Sequence, residues 1–272
     1  RHAFHAGNFA DCLKHALLVW IVRALGRKAA PFRVLDTHAG AGAYDLGSEE
    51  AQRGGEWQAG IGRLLGVTEG PLADYAGLAR EAGAPARYPG SPELVRALLR
   101  PEDRLVCVEL HPEEHAALRA RFRADPRVSV HRRDGWEALR ALTPFPERRG
   151  LVLMDPPFEQ PGEFGRLAAG LSLVARRFRG AVQAAWYPIK HRAPVRAFHA
   201  EVEASGLRDV VAAELWLREP TDPARLNGCG LLVANPPWGF EAEARGALAA
   251  LEGRLGAGEA GQGWAVTRIA EE

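Results

Sequence analysis

The stretch "FRVLDTHAGAG", residues 32–42, decides the fold. Its first half, 32–37, reads as a buried strand that breaks into a turn with glycines at 40 and 42. Glycine there lets the backbone turn tightly and lets a ligand approach Gly40 closely. Working outward, short apolar runs recur at 104–109, 128–131, 150–155, 181–187, 209–217 and 230–235, with helical stretches such as "PEEHAALRARF" and "GWEALRAL" between them. Strand alternating with helix predicts an α/β fold with a mostly parallel sheet covered on both faces. Before the first strand, an amphipathic helix is expected over 8–28. Asn8 can cap it, and Phe9, Leu13, Leu17, Trp20, Ala24 and Leu25 recur at helical spacing, with Lys14 and His15 outside that apolar set.

Composition narrows the class. The 272 residues suffice for one large α/β domain or two small ones. No apolar run approaches the roughly 20 residues that span a bilayer, and "RHAFHAGNFADCLKH" is too polar for a signal peptide, so a cytoplasmic protein without membrane contact is expected. The sequence begins with Arg rather than Met, which suggests that a few native residues precede it. Cys12, Cys107 and Cys229 are scattered, with no C-x-x-C pair, and read as reduced core residues. The net charge of +1 gives no global footprint for nucleic acid, although "HRRD" from 131 and "ARRFRG" from 175 are local basic groups.

One gap is too long for plain alternation. Asp36 and Glu109 lie 73 positions apart, where a simple dinucleotide unit needs about 20 between glycine turn and acid. An insertion over 48–98 is expected, containing "EWQAGIGRLLG" and "PLADYAGLAREAG", both helical in pattern. It reads as a small helical subdomain over one edge of the sheet, within a single domain spanning 1–272.

The motifs carry the chemistry. The turn "DTHAGAG" lacks the third glycine of the dinucleotide fingerprint, which disfavours a pyrophosphate cofactor and a dehydrogenase. Its D-x-x-x-G-x-G pattern is the one class I methyltransferases place beside S-adenosylmethionine. Glu109, ending the second strand, suits the two hydroxyls of a ribose; a lone glutamate more often starts a helix, but its place after a glycine turn favours the ribose. "HPEEH" at 111–115 matches a zinc-protease pattern only formally. Pro112 belongs at the first helical position, which leaves His111 outside the helix, and no metal is expected. Asp134 and Ser91 both read as helix N-caps, and in a methyltransferase Asp134 can accept from the cofactor's adenine amino group beside Gly135.

Two motifs share one grammar: "DPPF" at 155–158 and "NPPW" at 235–238. An exocyclic amine conjugated to a ring is a weak nucleophile until acceptors bond its hydrogens. The Asp155 carboxylate and the Pro156 carbonyl can supply two acceptors, the prolines stiffen the loop, and Phe158 can stack on a base. Position favours the first motif, which ends the fourth strand after the glycine turn, in the central crevice. The second is expected to end a strand at the far edge.

Together, "RHAFHAGNFADCLKH", "LDTHAGAGAYDLGSE", "YPGSP", "ELHP", "DG", "DPPF", "WYP" and "NPPW" closely resemble the bacterial large-subunit ribosomal RNA adenine-N6 methyltransferases of the RlmJ family, over essentially the whole chain. The resemblance implies a Rossmann-like class I methyltransferase sheet with an inserted helical subdomain. It implies S-adenosyl-L-methionine as cofactor, ribosomal RNA of the large subunit as partner, and a monomer. It places His15, His38, Ser91, Glu109, Asp134 with Gly135, and Asp155 around the cofactor, makes Asp155 catalytic, and puts Lys14 by the target base. An aromatic residue that helps at the target is expected just before Arg1. A DNA adenine-N6 methyltransferase shares the D-P-P-aromatic chemistry but needs a larger recognition domain than about 50 inserted residues; a non-catalytic RNA-binding assembly factor is disfavoured by the intact D-P-P-F and Glu109.

Overall fold

The computed structural model describes residues 5–271. The expectation about the target-side residue next to Arg1 therefore lies outside the described residues. In chain order the elements are α1 (Phe9–Gly26), β1 (Arg33–Asp36), β2 (Ala43–Asp45), α2 (Glu49–Gly54), α3 (Glu56–Ala59), α4 (Ala73–Glu81), β3 (Arg87–Pro89) and α5 (Ser91–Leu98). Then come β4 (Arg104–Val108), α6 (Pro112–Phe122), β5 (Val128–His131), α7 (Gly135–Leu142), β6 (Gly150–Met154), α8 (Glu163–Arg177), β7 (Ala181–Ile189) and α9 (Arg192–Ala204). The chain closes with β8 (Val210–Trp216), β9 (Gly228–Ala234), α10 (Phe240–Leu255) and β10 (Gly263–Ala270).

Among the described residues, eight strands form one sheet in the order β5-β4-β1-β6-β7-β9-β8-β10. The strands from β5 to β7 are parallel, and β9 runs antiparallel to both its neighbours. Strand β6 (GLVLM) is buried at all five positions, as a central strand covered on both faces must be. One apolar core joins the sheet to α1, α5, α6 and α10, and the other joins it to α7, α8 and α9. The free cysteines are all buried, as core residues.

Helix α1 begins where the Asn8 side chain accepts from the backbone N–H groups of Ala10 and Asp11, each at 3.0 Å. It packs against α4, α5, α10 and β9. Being covered from several sides, it buries Asp11, Lys14 and His15 along with its apolar stripe. Lys14 and His15, read from the sequence as outside the apolar set, thus point into the interior.

Between β1 and β4 the chain departs from a plain helical excursion. A two-stranded antiparallel ribbon pairs Ala43–Asp45 with Arg87–Pro89. The "EWQAGIGRLLG" stretch is broken rather than continuous: α3 stops at Ala59, and a short 3-10 turn follows over Ile61–Arg63. Gly60 between them presses on Gly7, where a side chain would overlap the Gly7 carbonyl. Helix α5 packs on α1 and β4, as part of the sheet's cover.

Candidate active site

Parallel strands deliver their carboxyl ends to one rim. Here β6, β1, β4 and β5 lie side by side, and at their carboxyl ends stand Asp36, the last residue of β1, Asp155 and Glu109, which directly follow β6 and β4, and Asp134, three residues after β5. Helix α5, before β4, covers one face, whereas α8, after β6, covers the other. The crevice between β1 and β6 is therefore the point where connections change face, the usual ligand position in open α/β sheets. Asp36 and Asp155 end the two strands that flank it.

The glycine turn is locked to β4. The Glu109 carboxylate accepts the Gly40 N–H at 2.8 Å on one oxygen and the His111 N–H at 2.7 Å on the other. Each oxygen keeps a second lone pair, enough for two ribose hydroxyls. Gly40 has φ 59° in the left-handed region, and a Cβ there would overlap the Tyr44 hydroxyl. His111 lies outside α6, and among the described residues no group of three or more His, Cys, Asp or Glu is placed to hold a metal.

Asp134 caps α7 through one oxygen, accepting from Trp136 N–H at 2.8 Å and Glu137 N–H at 3.1 Å. Both bonds fall on Oδ1, so Oδ2 can accept from an amino group. Gly135 follows because nothing larger fits: a Cβ would overlap the Thr37 carbonyl and come within 2.8 Å of the His38 ring. His38 is 2.8 Å from the Thr37 hydroxyl and meets Trp136 edge-on at 5.3 Å. Burial pushes its imidazole down to about 4, so the ring is neutral at neutral pH.

The centre of the crevice is a charge cluster. Lys14 Nζ lies 2.6 Å from Asp155 Oδ2 and 2.9 Å from Asp11 Oδ1, with its side chain only 5 % exposed. Burial alone would lower its pKa, but Asp11 and Asp155 raise it above the ordinary lysine range. Asp11 is fixed in turn by the Gly7 N–H at 2.9 Å. Asp36 is fully buried; burial pushes its carboxyl up to about 7, opposed by the Ser91 hydrogen bond and assisted by the charge of Asp155.

Ser91 is not the N-cap that its sequence context suggests. Gly90 occupies the cap position, and Ser91, the first residue of α5, donates from Oγ to Asp36 Oδ2 at 2.6 Å. His15, buried next to Lys14, has Nδ1 2.7 Å from the Tyr88 hydroxyl, which is 2.8 Å from the Tyr75 hydroxyl. Residues of β3 and α4 thus hold His15 in place. Asp11 and Asp36 were not singled out from the sequence as site residues. Asp11 could have been found from its i, i+3 spacing to a lysine on a buried helix, and Asp36 from its place at the end of an apolar strand.

The two PP motifs part company here. Pro156 is buried, and Phe158 sits at φ 52°, a left-handed conformation costing an aromatic residue about 1–3 kcal/mol that its surroundings must impose. Its ring meets Phe164 edge-on at 4.9 Å and Trp186 at 6.0 Å. Asn235, by contrast, follows an interior strand, correcting the expected far edge: β9 lies between β7 and β8. Because β9 is antiparallel, its carboxyl end is at the opposite end of the sheet. Asn235 Nδ2 donates there to the Ala181 carbonyl at the start of β7, at 3.2 Å.

The donor set fits an adenosine-type cofactor: acceptors at Glu109 for hydroxyls, at Asp134 for an amine, and close backbone at Gly40 and Gly135. The family model described as "Ribosomal RNA large subunit methyltransferase D, RlmJ" matches residues 29–268. The chain belongs to the RlmJ family. It is 39% identical over 274 residues to the Ribosomal RNA large subunit methyltransferase J of Escherichia coli (strain K12), covering 98% of each chain. It is 38% identical over 248 residues to the protein of the same name from Haemophilus influenzae, covering 89% of this chain and 88% of that one. Among solved structures, protein LPL1258 from Legionella pneumophila superposes with a TM-score of 0.88 at 30% identity, covering 97% of this chain and 98% of that one. Membership of the RlmJ family makes the chain a methyltransferase that uses S-adenosylmethionine. Among the described residues no helix is long and apolar enough to cross a membrane.

Proposed function

We propose that this RlmJ-family protein methylates N6 of an adenine in large-subunit ribosomal RNA, with Asp155 at the reacting nitrogen. The observation that carries the reading is the convergence of Asp155, Glu109 and Asp134 on one rim, with D-P-P-F at the crevice between β1 and β6. Glu109, Asp134 and Gly135 hold the nucleoside part of S-adenosylmethionine, with His15, His38 and Ser91 completing the surround. The bound cofactor supplies an electrophilic methyl group.

Asp155 Oδ2 is engaged by Lys14, which leaves Oδ1 to accept one amino hydrogen of the target adenine. The Pro156 carbonyl accepts the other. With both hydrogens bonded, the nitrogen lone pair withdraws from the ring and becomes nucleophilic. Lys14, anchored by Asp11, fixes the carboxylate in that orientation. Phe158 stacks on the base, with its ring packed edge-on against Phe164 and Trp186. On this reading residues 1–272 form one methyltransferase domain with 48–98 inserted in it, acting as a monomer in the cytoplasm.

The test is transfer of labelled methyl groups from S-adenosylmethionine to unmodified large-subunit RNA, with duplex DNA in parallel and the product nucleoside identified. N6-methyladenosine from RNA alone is expected. Methylation of duplex DNA at an equal rate, or another modified nucleoside, overturns the proposal.

A further inference from the structure

An open groove of about 630 Å³ lies away from the crevice, between α5 and α6. Arg87, Arg96, Arg121 and Arg127 line it, together with Glu93 and Asp125. Glu93 is held between Arg87 and Arg121, and Asp125 between Arg96 and Arg127. Two carboxylates cannot neutralise four guanidinium groups. They are also the more deeply set: Glu93 and Asp125 side chains are 12 % and 14 % exposed, against 24–39 % for the four arginines. The face shown to solvent is therefore cationic.

The positive charge continues towards the active site. Strand β5 is an edge of the sheet and rises from Val128, beside the groove, to His131. Arg132 and Arg133 follow, both exposed, and then Asp134 at the cofactor rim. Within residues 119–133 there are six arginines and a single acid, Asp125, in a chain whose net charge is only +1. This is local concentration on one flank, and one of the six, Arg123, is an exposed cation at the end of α6.

We propose that the α5–α6 groove and the edge of β5 form a track for the phosphate backbone of the RNA substrate, leading to the crevice where the target base is presented. The inference rests on the RNA reading above and adds to it the surface that takes the sugar–phosphate chain. Arginine forks match phosphate oxygens bidentately, and a groove with its carboxylates at the floor leaves outward N–H groups available. Such contacts position a nucleic acid and give salt-dependent affinity without reading sequence.

The experiment compares the triple variant Arg96→Ala/Arg123→Ala/Arg132→Ala with Arg176→Ala/Arg179→Ala/Arg196→Ala, which removes the same charge from exposed positions on and after α8 and on α9. Affinity for unmodified large-subunit RNA transcribed in vitro is measured as a function of salt, with methylation kinetics, cofactor affinity and thermal melts alongside. The track variant should bind RNA about 10-fold or more weakly and lose about 2 from the slope of log affinity against log salt, since each phosphate contact contributes about 0.7–0.9. Its KM for RNA should rise while kcat, cofactor affinity and melting temperature hold. The α8–α9 variant should stay near wild type. Wild-type RNA affinity and slope in the track variant, as expected if the groove serves an acidic protein instead, overturn the proposal, and so does an equal loss in both variants. Wild-type protein that binds the RNA through this track but methylates none of it refutes the proposed activity and leaves the track standing.

Discussion

Asp155→Ala and Asn235→Ala should fail in opposite ways, although both remove the first residue of a PP motif. Removing Asp155 takes away an acceptor at the reacting nitrogen, and loss of a positioned catalytic group typically costs about 10²–10⁴-fold in rate. Stability should change less than in the Asn235 variant, because Lys14 keeps its 2.9 Å pair with Asp11 and is not left as an uncompensated buried charge. Asn235→Ala deletes the 3.2 Å bond to the Ala181 carbonyl, worth about 1 kcal/mol. It also puts alanine at φ 52°, a conformation asparagine tolerates better, for about 1 kcal/mol more. A loss of about 2 kcal/mol in a chain of this size lowers the melting temperature by roughly 4–8 °C. The assay is single-turnover methylation with saturating cofactor, with thermal melts of both variants. Lost turnover at unchanged melting temperature in Asn235→Ala, together with retained turnover in Asp155→Ala, would refute the assignment.

Glu109→Ala should weaken S-adenosylmethionine binding by about 1–3 kcal/mol, because ribose hydroxyls lose a charged acceptor and the Gly40 N–H loses its anchor; unchanged calorimetric affinity in a folded variant removes Glu109 from the site. Gly135→Ala should weaken the cofactor and lower the melting temperature despite alanine's better helix propensity, since its Cβ meets Thr37 and His38; a more stable variant with normal affinity contradicts the overlap. Asp36 has a folded value near 7, above the unfolded value of about 3.9. The folded chain thus binds the extra proton between those values, and Asp36 makes stability fall as pH rises through that window and level off above it. Asp36→Asn removes this dependence, so denaturant melts should show the variant gaining on wild type from pH 4.5 to 7.5, and a pH-independent gap excludes the assignment. Because D-P-P-F needs a splayed-out ring, an unpaired adenine should be methylated faster than the same adenine in a full duplex, and equal rates count against Phe158 stacking.

The strands were legible because a sheet covered on both faces demands near-continuous apolar runs, and Leu151–Met154 and Leu105–Val108 supply them. The rim was legible for a related reason: acids at strand ends, such as Glu109 and Asp155, stand out against those runs. What escaped depended on contacts between distant segments. Lys14 and His15 fall outside the apolar stripe of α1, and their burial depends on partners far along the chain, Asp155 for Lys14 and Tyr88 for His15. Ser91 has the local grammar of a cap, but the buried Asp36 carboxylate, 55 residues away, accepts the hydrogen bond of its hydroxyl. The ribbon of β2 and β3 is too short for periodicity to reveal, and the direction of β9, which separates the two PP motifs, follows from pairing rather than pattern.

Charge distribution joins the crevice to the groove. Asp11 and Asp155 flank the Lys14 ammonium, and Asp36, Glu109 and Asp134 lie on the same rim of the sheet, while burial keeps His38 neutral at neutral pH. Such a site repels phosphate and attracts a cation, which agrees with a sulfonium cofactor and with the absence of the third glycine that a pyrophosphate turn needs. The same acidity would repel the backbone of an RNA substrate. A nucleotide therefore has to enter base first, with its phosphates held outside the crevice by positive charge on a neighbouring surface. The arginines along α6 and β5 reach the rim at Asp134 and offer that charge where the crevice cannot. The net charge of +1 thus hides a local separation of an acidic pocket from a basic flank, which suits a cationic cofactor and a polyanionic substrate at once.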